Sequence, residues 1–160
     1  MVSITSLLVF SASALASPVL QRRQIAIPEG WNWQVSKWEA GCTRSGCYYN
    51  FDVTVPSIEG EILGVKAHCI GYENGWYRKG NWYDGCDILE GANNGVAAKL
   101  SERESDIDGS PKEILISFTL AGYEDRPTYN FTAKHETIYN AAVSPQKEFE
   151  VTPTEVWGIA

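Results

Sequence analysis

The chain predicts an all-β fold, an antiparallel β-barrel or β-sandwich stapled by two disulfides. Three observations predict it. Apolar and polar residues alternate through several short runs, the period of a strand with one face in a core. Turn residues interrupt those runs at short intervals. Four cysteines, Cys42, Cys47, Cys69 and Cys86, occur in a chain that opens on an apolar leader. No window of helical period rises above the alternation, and seven to nine short strands are expected.

The leader comes first. Residues 1–16 are apolar and small, and Ala14-Leu15-Ala16 before Ser17 is a small-x-small cleavage site. This reads as a secretory signal peptide, too short to span a bilayer. Residues 17–23 read as a pro-segment ending in the dibasic pair Arg22-Arg23, which would leave Gln24 as the new N-terminus. Residues 24–160 then form a single β domain. Losing 1–23 removes two of the 13 basic side chains and none of the 20 acidic ones, so the domain is strongly acidic. That charge disfavours nucleic acid and anionic membrane as partners. The length suits one domain with a real core.

Within the domain, Trp31, Trp33 and Val35 alternate with Asn32, Gln34 and Ser36, but the next hydrophobe is Trp38. The apolar face changes parity at Ser36-Lys37, which predicts a bulge. Cys42-Thr43-Arg44-Ser45-Gly46-Cys47 reads as a turn. Cys47, Tyr49, Phe51, Val53 and Val55 then alternate with Tyr48, Asn50, Asp52 and Thr54 until Pro56. A hairpin closed by Cys42–Cys47 would set Trp38 against Phe51. Further strands are expected over residues 64–71, 95–104, 113–120 and around Tyr129, Phe131 and Ala133. The tail offers Phe149 and Val151, a break at Pro153, then Val156-Trp157.

The run from Cys69 to Cys86 stands apart. It holds two Trp-Tyr pairs, Trp76-Tyr77 and Trp82-Tyr83, around Arg78-Lys79-Gly80-Asn81. A turn at Lys79-Gly80 would set Tyr77 across from Trp82 and Trp76 across from Tyr83, as cross-strand aromatic pairs. Adjacent aromatics on an extended chain face opposite ways, so one of each pair is expected to face out. Trp76, Tyr77, Trp82 and Tyr83 are therefore the candidate binding residues, for protein or sugar. Four cysteines allow three pairings. The local pairing, Cys42–Cys47 with Cys69–Cys86, is preferred, because it closes a hairpin and an aromatic loop. The alternatives would tie the hairpin to the loop.

Catalytic chemistry is hard to place. There is no Cys-x-x-Cys, no Gly-x-Ser-x-Gly and no metal-ligand spacing around the two histidines, His68 and His135, so neither metal nor cofactor is expected. Glu59, Glu61, Asp84, Asp87 and Glu90 could supply a carboxylate pair for a small acid hydrolase, yet nothing singles two of them out. The run Glu102, Glu104, Asp106, Asp108 lacks the calcium-loop pattern and reads as a polar loop. Asn130-Phe131-Thr132 is a glycosylation sequon, with Asn130 on the polar face of its strand.

The leader, the dibasic pro-segment, Trp33-Gln34-Val35, the Tyr48-Tyr49-Asn50 strand entry and the Cys69…Trp-Tyr…Cys86 loop together resemble the Alternaria alternata major-allergen family. The early Cys-x4-Cys hairpin and the tail Val151-Thr152-Pro153-Thr154-Glu155-Val156 also resemble other small secreted fungal proteins. The resemblance implies a β-barrel fold and a secreted, non-enzymatic effector or elicitor. Such a protein would bind a host plant extracellular protein or a cell-wall component and trigger defence or cell death. The bottom-up alternative is a carbohydrate- or small-ligand-binding module using the aromatic loop. The oligomeric state stays open.

Overall fold

The computed structural model describes residues 25–75, 80–91, 93–103, 109–123, 126–139 and 147–159. The expected signal peptide and pro-segment lie outside these residues. The strands are β1 (Trp33–Thr43), β2 (Gly46–Val55), β3 (Val65–Tyr72), β4 (Asp84–Gly85), β5 (Asp87–Glu90), β6 (Gly95–Leu100), β7 (Glu113–Leu120), β8 (Thr128–Glu136), β9 (Phe149–Val151) and β10 (Pro153–Ile159). They form two five-stranded antiparallel sheets, ordered β5-β3-β2-β1-β9 and β10-β8-β7-β6-β4. Of the two architectures expected, this is the sandwich, because the sheets do not close on each other. No described helix is long and apolar enough to cross a membrane.

The chain passes between the sheets at two corners. At one, β4 pairs with β6 in the second sheet and β5 pairs with β3 in the first, with Cys86 between them. At the other, β9 pairs with β1 and β10 pairs with β8, with Thr152 between them. The break expected at Pro153 is this second corner. Proline has no N–H to donate to a ladder and is tolerated at a strand's first residue.

The bulge lies where the hydrophobic parity requires it. Pairing runs Ser36↔Asp52, then resumes at Glu39↔Asn50. Lys37 takes up the extra residue with φ 54°. That turns Trp38 inward, 5.4 Å from Phe51 between ring centroids. Its indole Nε1 donates to Ile138 O at 2.8 Å. Both disulfides form as preferred, Cys42–Cys47 and Cys69–Cys86. The first joins directly opposed residues of the β1–β2 hairpin.

The core is the interface between the sheets. Trp31, Trp33, Phe118 and Phe131 meet edge to face, with centroids 5.1 to 6.0 Å apart. Trp31 anchors the entering chain by donating Nε1 to Pro56 O at 2.8 Å. Fully burying such a side chain contributes about 1.5–3 kcal/mol, and a good aromatic pair adds about 0.5–1.5 kcal/mol. Strand β5 was not legible from alternation, because all four of its residues are exposed. The strand expected over 95–104 stops at Leu100, where Ser101 closes the ladder. Its N–H donates to Glu113 O, and its Oγ accepts from Glu113 N.

Breaking the Cys69–Cys86 bridge by double serine substitution should lower unfolding free energy by about 3 kcal/mol. Breaking Cys42–Cys47, which closes a much shorter loop, should cost less. Urea titration of the two double variants checks the order, and equal losses would contradict it.

Candidate functional site

The aromatic loop leaves β3 at Tyr72 and re-enters the fold at Asp84. Two asparagines, not a strand ladder, close its neck. Asn81 Oδ1 accepts from the backbone N–H groups of Asn74 and Gly75, both at 2.9 Å. Asn81 Nδ2 donates to Leu100 O and Ser101 O at 3.2 Å, tying the loop to the end of β6. Asn74 Oδ1 accepts from Trp82 N at 2.8 Å, and its Nδ2 donates to Asp84 Oδ2 at 2.8 Å. A Cβ on Gly75 would collide with the Gly80 carbonyl, so glycine is required at the crossing. The strand register that would set Tyr77 across from Trp82 therefore does not extend into the neck, where Gly75 abuts Gly80 instead. Trp76 and Tyr77 lie outside the described residues.

Trp82 and Tyr83 part company, as adjacent residues on extended chain must. Trp82 is 63% exposed. Tyr83, 39% exposed, lies against Lys99 of β6, whose Nζ is 4.8 Å from its ring centroid. Burial, then the Glu155 carboxylate on β10, push its phenol above the ordinary value.

The base of the loop is pinned by Glu73. Its carboxylate accepts from Cys47 N at 2.6 Å and pairs with the Arg103 guanidinium through two hydrogen bonds. Burial pushes this carboxyl up, but Arg103 and the Cys47 N–H outweigh it and the group is held low. The disulfide hairpin, the aromatic loop and the β6–β7 connection thus meet at one end of the sandwich. Tyr139 closes the same end by donating to Pro111 O. Its phenol is pushed up to about 12, first by burial and then by the Glu73 charge.

The first sheet carries a second polar cluster on its outer face. His68, expected to be unremarkable, has its Nδ1 2.7 Å from Asp52 Oδ1, and Lys37 Nζ lies 2.7 Å from the other carboxylate oxygen. The Lys37 hydrogen bond holds Asp52 below the usual carboxylate range against the upward push of burial, and His68 adds to it. The residue that forms the bulge therefore also neutralises a buried acid. Of the other carboxylates weighed, Glu90 meets Lys66 at 3.5 Å. Among the described residues no group of three or more His, Cys, Asp or Glu could hold a metal. Glu104, Asp106 and Asp108 lie outside them.

Two surface features were missed. Tyr48, Ile70 and Tyr72 are exposed together on the outer face of the first sheet, in the row Gly41, Tyr48, Tyr72 and the row beside it. A tyrosine among the polar residues of β2 was the available signal. At the opposite end, Ile25, Leu63, Asn94, Leu120, Tyr123 and Tyr129 line a cavity of about 300 Å³. Loops distant in sequence build it, so no local pattern announces it. Asn130 stands on the outer face of β8, bonded through Oδ1 to the hydroxyls of Ser117 and Thr119. Compared with known protein families, curated proteins and solved structures, the chain matches none.

Replacing Asn81 with Ala removes its bonds to Asn74, Gly75, Leu100 and Ser101, leaves those of Asn74 to Trp82 and Asp84, and should cost about 1–3 kcal/mol. Trypsin should then cut the folded protein faster at Arg78 and Lys79, and unchanged cleavage would show that the clamp does not hold the loop. Acid should act through Asp52 and Glu73. Both are depressed in the folded chain, so their stabilisation is complete above the unfolded values, about 3.9 for Asp and 4.3 for Glu. It is lost as pH falls through the folded ones. Asp52→Asn should lower the urea midpoint at neutral pH and flatten its decline toward acid.

Proposed function

We propose that this is a secreted, non-enzymatic binding protein of the effector or elicitor kind. It acts outside the producing cell by presenting the Cys69–Cys86 loop to a host protein or surface component. The observation that carries this reading is Trp82. This large aromatic side chain is 63% exposed and sits on a neck fixed by side-chain hydrogen bonds and a disulfide. Such a preorganised aromatic is the usual anchor of a protein contact. Two disulfides with no free cysteine among the described residues suit an oxidising compartment. The non-catalytic part of the reading is supported by Asp52 and Glu73, whose oxygens are taken up by Lys37, His68, Arg103 and the Cys47 backbone N–H.

A second reading keeps the loop and changes the ligand. Trp82 together with Tyr83, whose ring already holds a lysine cation, could stack on a cell-wall glycan or a small ligand. The two readings separate in one series. Purified protein is infiltrated into plant leaf and used for pull-down, and tryptophan fluorescence is titrated with soluble wall glycans. Trp82→Ala should abolish the leaf response and the pull-down with little change in Tm. A full response from that variant would remove the loop from the contact. Glycan saturation would favour the second reading, and turnover of a wall polymer would overturn both.

A further inference from the structure

The outer face of the second sheet carries a sequon next to an exposed tryptophan. Asn130 lies in β8 directly between Thr119 of β7 and Trp157 of β10, its Cα partners on either side. All three side chains therefore share one face, with neighbouring Cβ atoms roughly 4.5–5.5 Å apart. Ser117 and Thr119 both donate to Asn130 Oδ1, at 2.8 and 3.0 Å. That fixes the amide, so its Nδ2 points away from both hydroxyls. Nδ2 has no hydrogen-bond partner among the described residues, and it is not among the fully sealed, unpartnered polar atoms. Asn130 is only 8% exposed, while its strand neighbour Trp157 is 44% exposed.

We propose that Asn130 carries an N-linked glycan whose first sugar packs on Trp157. In the modification, C1 of the first N-acetylglucosamine of a lipid-diphosphate-linked oligosaccharide bonds to Nδ2. Nδ2 loses one proton and the lipid diphosphate leaves. The hydroxyl of Thr132 completes the sequon, and in the folded chain it is turned to Glu155 Oε2 at 3.2 Å. Transfer therefore precedes the docking of β10, which leaves Asn130 8% and Thr132 7% exposed and holds the Thr132 hydroxyl on Glu155. Substitution leaves Oδ1 to accept both hydroxyls and removes one of two N–H groups that nothing in the protein uses. The apolar face of a pyranose then covers indole area that is otherwise wet.

A glycan there shields the outer face of the second sheet, beside the edge strand β10. Recognition is left to the loop end and the first sheet. The inference rests on the chain entering the secretory pathway, as the proposed function requires, so the test separates the two.

The chain is expressed in a eukaryotic secreting host with its own leader, and again with residues 1–16 replaced by the host's leader. Total protein from both is peptide-mapped with and without an N-glycosidase, which converts a modified Asn to Asp. Asn130 should be modified in both, modified in Thr132→Ser and bare in Thr132→Val. In the glycosylated protein an N-acetyl methyl resonance should be shifted upfield by the indole ring current. It should return to its ordinary position in Trp157→Ala and stay shifted in Trp157→Phe. The glycosylated wild type should have a higher Tm than the same chain made without sugar in a host lacking the transferase, and Trp157→Ala should close that gap. Bare Asn130 behind the host leader overturns the proposal, as does a methyl shift and thermal gap that survive Trp157→Ala. Modification behind the host leader but not behind the native one overturns export and supports the site.

Discussion

Cys86 stands where one extended run changes sheets, and its bond to Cys69 fixes that corner. Much of the molecule depends on this constraint. Cys69 is a core residue of β3, so the bridge fastens the corner to the most buried part of the first sheet. The aromatic loop is the chain between the two halves of the bridge. Its neck needs only short-range polar bonds because the disulfide has already brought its ends together. The second corner, at Thr152 between β9 and β10, has no covalent tie. There Phe149 and Val151 are buried, and the core holds the chain instead.

Polar side chains do the remaining positioning, and each serves two elements at once. Glu73 ends β3, caps the Cys47 N–H of the hairpin and captures Arg103 from beyond β6. Asn81 joins the loop to the end of β6. Lys37 forms the bulge and also neutralises Asp52 across the sheet. An acid that is buried and already paired contributes rigidity more readily than reactivity, because moving its proton would break the contacts around it.

Its two outer faces are unlike. The first sheet shows Tyr48, Ile70 and Tyr72, while the second carries Ser117, Asn130 and Thr132, with Trp157 beside Asn130. The apolar face and the loop end suit contact with a partner. The hydroxyl-rich face suits sugar, whether its own or another's.

Alternation, with the turn residues and the cysteines, determined the all-β class, most strand cores and the bulge, because a strand with one buried face must repeat every second residue, and the sheet order decided sandwich over barrel. Cysteine spacing likewise pointed to both bridges, since a hairpin and a single loop bring those pairs together locally. Strand β5 escaped because an exposed strand has no apolar face to betray it. The loop's aromatics stand out in the sequence, but the exposure of Trp82 depends on the neck of Asn74, Asn81 and Gly75, whose roles arise only when the neck closes. The same holds for Asp52, His68 and Lys37, and for Asn130 beside Trp157. Those residues lie far apart in sequence, and only the register of neighbouring strands makes them neighbours.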